Sequence, residues 1–187
     1  MKHSFVSTLT ALFLCFWVVA PVHAHSANGP ELARESRMAV RELAATNAGA
    51  HAVWSRSVAA LVFPHIVSVG GIFDKHEAHG TLIDQHTATL GHYKTVADSY
   101  GFDDARGKTG YVIFFLDTKS LSVLHQRGGW EPGRKSSVII IDHRFMADAL
   151  SAKTPRTGIY AFAFNEHGFV NGLKLRGTKI TELMVER

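Results

Sequence analysis

Thiols are nearly absent. The sole cysteine of the 187 residues, Cys15, lies inside an apolar run near the N-terminus. The chain beyond that run can form no disulfide and offers no cysteine to a metal, so its stability must come from a packed core. A lipoprotein acceptor cysteine would follow a small residue at the end of such a run; Cys15 follows Leu14, so lipidation is not expected. Charge of one sign is also scarce. Twenty Lys and Arg stand against 16 Asp and Glu, a mild bias toward acidic partners and well short of a nucleic-acid-binding signature. Catalytic signatures are missing too. No serine occupies a Gly-x-Ser-x-Gly elbow. Gly70-Gly71 runs into "IFDKHEAHG", which is neither a dinucleotide turn nor a phosphate loop. No tandem repeat or low-complexity tract is present.

What is there begins with an address. Met1-Lys2-His3 is basic, the stretch from Phe5 to Val22 is apolar except for Ser7, Thr8 and Thr10, and Val22-His23-Ala24 places small residues where a signal peptidase reads. This predicts a signal peptide over residues 1–24 and a periplasmic or secreted protein. The rival reading is a membrane anchor, which needs about 20 apolar residues; the interrupted run and the cleavage-type site argue against it. Removing 24 of 187 residues leaves 163, with 19 basic and 16 acidic side chains and ten histidines, a size that fits one domain.

The mature chain opens with helical periodicity. In "ELARESRMAVRELAATN" the residues Leu32, Ala39, Val40 and Leu43 recur at helical spacing, with Pro30 suited to the first turn. Arg34, Arg37 and Arg41 form a stripe on the opposite face. A second short helix, "AGAHAVWSR", is expected with Asn47 as its cap. From Ala60 the texture changes to short β-type segments: "ALVFPHIV", "HGTLID", "ATLGHYK", "TGYVIFFLD", "SSVIIID", "IYAFAFN" and "GFVNGLKLR". One helix interrupts them, "KSLSVLHQR", with Thr118 as its expected cap and Gly128-Gly129 as its stop. The order predicts an α+β fold: N-terminal helices over residues 25–52, then a domain over 53–187 built on a curved, mostly antiparallel sheet, sandwich- or barrel-like, with one inserted helix.

Three stretches invite a chemical reading. "DKHEAHG", Asp74 to Gly80, groups carboxylate and imidazole, which together can bind zinc. The spacing of His76 and His79 is not that of a His-Glu-x-x-His helix, and on a strand the two rings would point to opposite faces. "RGGWEPGRK", Arg127 to Lys135, encloses Trp130 between two turns, where the indole packs into the core or serves as a lid or a surface anchor. "GLKLRGTKIT", Gly172 to Thr181, alternates Leu173 and Leu175 with Lys174 and Arg176, then loses its alternation at Gly177, as a bulge or tight bend would require.

The segments "ALVFPHIVSVGG", "LGHYK", "RGGWEPG" and "IYAFAFNEHGFVNGLKLRGTKIT", in this order, resemble the SYLF domain family over about Val53 to Leu183. The chain departs from that family where a glycine-rich stretch would follow the Phe-Pro strand: Ile72 to His79 separate Gly71 from the next glycine, Gly80. The resemblance implies lipid binding, since eukaryotic relatives bind phosphoinositides. With the export signal, it implies the exported bacterial branch, for which actin is not an expected partner. The expectation is therefore a non-catalytic protein that binds anionic phospholipid, at a membrane surface or as single molecules, with no cofactor, no metal and no nucleic acid. Lys174, Arg176 and Lys179 are the expected contacts, joined by Arg134 and Lys135, with the Arg34/Arg37/Arg41 stripe as second choice. Two other readings compete: a module of the cell envelope that meets another protein, and a metal-dependent enzyme using His76, Glu77 and His79.

Overall fold

The computed structural model describes residues 29–69, 75–101, 109–134, 136–142 and 158–183. The signal peptide expected over residues 1–24 and Lys135 lie outside these. Two helices come first, α1 (Gly29–Thr46) and α2 (Ala48–Trp54). Asn47 separates them as expected: its side chain accepts the Ala50 N–H at 2.9 Å and caps α2.

Nine strands follow: β1 (Ala59–Phe63), β2 (Val67–Val69), β3 (Lys75–Asp84), β4 (Thr89–Ala97), β5 (Gly110–Phe115), β6 (Val138–Ile140), β7 (Ile159–Asn165), β8 (Gly168–Val170) and β9 (Lys179–Leu183). They form one sheet in the order β6-β7-β5-β1-β3-β4-β9, with β2 added to β3 and β8 to β7. Every pairing is antiparallel except β6 with β7. The α+β class and the mostly antiparallel sheet expected from the sequence are present. The sheet is open, with β6 and β9 at its two ends.

Burial on both faces explains the sequence texture. Strand side chains alternate between faces, so a central strand covered on both sides reads as an unbroken apolar run. In β1, Ala59, Leu61 and Phe63 enter one core while Ala60 and Val62 enter the other. The second core is closed by Val40 and Leu43 of α1 and Ala50 and Val53 of α2, so the N-terminal helical segment packs directly on the sheet. The first core is closed by non-strand chain: Tyr100, Leu124, Trp130, Leu173 and Leu175.

Two local expectations change. The inserted helix α3 (Thr118–Leu121) is a single turn continued by a 3-10 turn (Ser122–His125), and its cap is Asp117 rather than Thr118. The Asp117 carboxylate reaches the Ser120 N–H at 2.8 Å, one residue earlier than the spacing suggested. The strand expected over "GFVNGLKLR" ends at Val170, and residues 171–178 are irregular. Their inside-outside alternation survives: Leu173 and Leu175 are buried, Lys174 and Arg176 exposed. A turn at Arg176-Gly177, with Gly177 at φ +80°, then leads into β9.

Candidate functional site

The segment 171–178 lies where it does because backbone ties it there. The Lys174 N–H donates to the Tyr100 carbonyl at 2.7 Å, just beyond the end of β4. Tyr100 itself is fixed from below: its hydroxyl meets Thr95 Oγ1 at 2.8 Å, and Tyr111 donates to the same oxygen at 2.8 Å. Burial drives the Tyr111 phenol well above its ordinary pKa, so it remains a protonated donor in this chain. Gly101 completes the joint. It sits at φ +90°, and a Cβ there would lie 2.3 Å from the Gly172 carbonyl oxygen and 2.8 Å from Lys174 Cγ. Only glycine allows that approach.

Trp130 holds the other side. It is 1 % exposed, packs on Phe115 with ring centroids 5.9 Å apart, and donates its indole N–H to Ser136 at 2.9 Å. Its backbone exchanges two 2.8 Å hydrogen bonds with Ile180 and so extends the sheet beyond β9. Trp130 is a core residue and not a lid.

With these supports the expected contacts can be placed. Ile180 packs into the first core, so its strand neighbour Lys179 projects from the opposite sheet face. Lys174 and Arg176 stand on the outer side of the segment that covers Ile180's face. The three cations therefore do not share a face. They share an end of the sheet. Register makes this explicit: Val67, Glu77, Val96 and Lys179 form one cross-strand row, and Val69 and Lys75 stand in the next row outward. Lys174 is tied to Tyr100, which follows β4 out of that same end.

Sequence reading missed two members of this surface. Lys75 and Lys94 lie on the sheet face that Lys179 uses, and the alternation in "KHEAHG" and "GHYK" was the signal that could have revealed them. Three carboxylates stand among these cations, and each already holds a partner. Glu77 binds Lys94 at 2.7 Å and lies 3.4 Å from His79; Asp98 lies 4.0 Å from Lys75; Glu131 binds Arg134 at 2.8 Å. Arg134 is thus neutralised locally, and the same contact raises its pKa further. No described residue forms an ion pair with Lys174, Arg176 or Lys179. Among the described residues, those three side chains give this end of the sheet a positive excess.

The arginine stripe lies on α1. Arg34 donates to Met38 Sδ at 3.2 Å, and Arg37 is half-buried while Arg41 is exposed. Beside α1 lies a groove of about 310 Å³ against the β7–β8 hairpin. Apolar side chains form much of its lining, His65 lies 3.5 Å from Glu35, and no serine, threonine or cysteine lines it. That arrangement offers no nucleophile to the imidazole. The "DKHEAHG" cluster also separates: His76 and His79 occupy opposite faces of β3, with His76 Nδ1 3.2 Å from the Asp98 carbonyl oxygen. Among the described residues no group of three metal-type ligands converges, and no helix is long and apolar enough to cross a membrane.

No protein-family model matches the chain, and no curated protein matches it.

Proposed function

We propose that the chain is an exported, non-catalytic protein that docks on anionic phospholipid head groups through one end of its sheet. The observation that carries the reading is the gathering of Lys174, Arg176 and Lys179 at that end with every nearby described carboxylate already paired. A cation near an anionic bilayer contributes on the order of 1 kcal/mol, and salt weakens it. Three such side chains on a backbone braced by Tyr100, Gly101 and Trp130 supply affinity without ordering flexible loops. The reading agrees with what the SYLF resemblance implies, and it needs no cofactor and no partner protein.

Vesicle flotation tests it. At low salt the protein should be recovered with vesicles containing phosphatidylglycerol and not with pure phosphatidylcholine. Replacing Lys174, Arg176 and Lys179 together by glutamine should cost about 3 kcal/mol, roughly a hundredfold in affinity. Equal recovery with anionic and zwitterionic vesicles would sink the proposal.

A further inference from the structure

The cationic end of the sheet also exposes apolar side chains. Val67 and Val69 of β2 are 51 % and 39 % exposed, and the serine between them is exposed as well, so neither face of this short strand is covered. Strand alternation puts both valines on one side, and register puts Val69 opposite Lys75 and Val67 in the row that ends at Lys179. With strands about 4.8 Å apart, Val67 and Lys179 stand roughly 14 Å from each other across that row. Apolar side chains exposed at the same sheet end as Lys174, Arg176 and Lys179 match one kind of partner. A bilayer surface offers anionic groups in one layer and hydrocarbon immediately beneath. A free phosphate or a detached head group has nothing for the valines to enter.

We infer that Val67 and Val69 are an interfacial anchor: while Lys174, Arg176 and Lys179 meet the head groups, these two side chains enter the acyl boundary of the same bilayer. This rests on the head-group reading above and adds to it the physical form of the ligand, a membrane rather than a soluble lipid head. Binding then has two components. The cations bring the protein to the surface and respond to salt, whereas the valines oppose release and respond to salt weakly.

The scarcity of thiols makes the test clean. In a Cys15→Ser background, Val69→Cys is labelled with an environment-sensitive fluorophore, and Leu90→Cys serves as the control. Leu90 is comparably exposed, at 52 %, but lies near the start of β4, at the opposite end of the sheet. Added to vesicles of one part phosphatidylglycerol to two parts phosphatidylcholine, the label at 69 should shift to the blue and brighten several-fold, and the label at 90 should not. Soluble glycerol phosphate should move neither. Val67→Ser with Val69→Ser should float with the same vesicles at low salt and lose at least fivefold more recovery than the parent when salt is raised. If the protein floats but the label at 69 stays in water, the anchor is wrong and the head-group reading survives. A shift at 90 in place of 69 overturns the proposed orientation. Absence of flotation with these vesicles overturns both.

Discussion

The two ends of the sheet handle charge in opposite ways. Where β1 begins, β3 finishes and β5 gives way to α3, the carboxylates are turned onto the backbone. Asp84 accepts the Ala88 N–H at 2.8 Å and closes the β3–β4 turn. Asp117 accepts the Ser120 N–H at 2.8 Å and the Gly158 N–H at 3.1 Å, joining two segments 41 residues apart. Those hydrogen bonds, the Ser120 N–H first, hold the Asp117 carboxyl below its ordinary pKa. At the other end, the side chains of Lys174, Arg176 and Lys179 touch no acceptor of opposite charge among the described residues, and it is their backbone that is held. One end thus uses charge to make the fold. The other uses the fold to present charge, and only the second arrangement leaves charge for a ligand.

The largest effect expected from disturbing this contrast comes from Gly101. Gly101→Ala forces an L-residue into positive φ and drives a Cβ against the Gly172 carbonyl. A cost of about 2 kcal/mol is expected, because such a position penalises alanine by more than the usual glycine entropy. The Lys174–Tyr100 tie is the contact that must yield. Vesicle affinity should fall even in the molecules that remain folded, since the 171–178 segment would no longer hold its cations at the sheet end. Denaturation midpoint and flotation, measured on the same preparation, check this. Lost stability with unchanged affinity would mean the segment needs no bracing to bind.

Asp117→Ala strikes the opposite end and should separate stability from binding. Removing an N-cap costs about 1 kcal/mol, and vesicle affinity should not change. The pH dependence has a definite sign. The folded carboxyl titrates below its unfolded value, so the unfolded chain binds more protons and the Asp117 contribution is complete above the ordinary aspartate range. It is lost as pH falls through the depressed folded value. The stability gap between parent and variant should therefore be full at neutral pH and close in acid, as followed by thermal unfolding across that range. A gap that persists unchanged in strong acid would assign the effect to packing.

Much of this was legible in the residues alone, for a reason that also sets its boundary. Burial alternation is local, so "IYAFAFN" announces a strand buried on both faces, and "GLKLR" announces outward cations even though its backbone is not a strand. Asn47 announces its cap because the partner N–H is three residues away. What stayed hidden depends on distant pairing. Parity fixes a side chain's direction only relative to its own segment, so it could not tell that Lys179 looks the opposite way from Lys174 and Arg176. Nor could it tell that all three meet at one end because Lys179 pairs with Val96 and Lys174 ties to Tyr100. The ion pairs that neutralise Arg134 and occupy Lys94 decide which cations count. Glu131 is three residues from Arg134 and could have been weighed, whereas Glu77 meets Lys94 only through the β3–β4 register.

The smallest expected effect sharpens the contrast most finely. Glu77 is the one carboxylate in the row that runs from Val67 through Val96 to Lys179, and its Oε1 binds Lys94 at 2.7 Å and lies 3.4 Å from His79. Glu77→Gln keeps the shape of the side chain and removes its charge. The pair is partly exposed, so its loss should cost stability no more than about 1 kcal/mol. Freed of its partner, Lys94 adds to the positive excess on the face that carries Lys179. Affinity for anionic vesicles at low salt should then rise by about 1 kcal/mol or less, a few-fold at most, and the gain should disappear as salt is raised. Flotation across a salt series measures both. If the variant binds no better than the parent at any salt concentration, the β3–β4–β9 face is not in contact with lipid, and docking is confined to the outer side of the 171–178 segment.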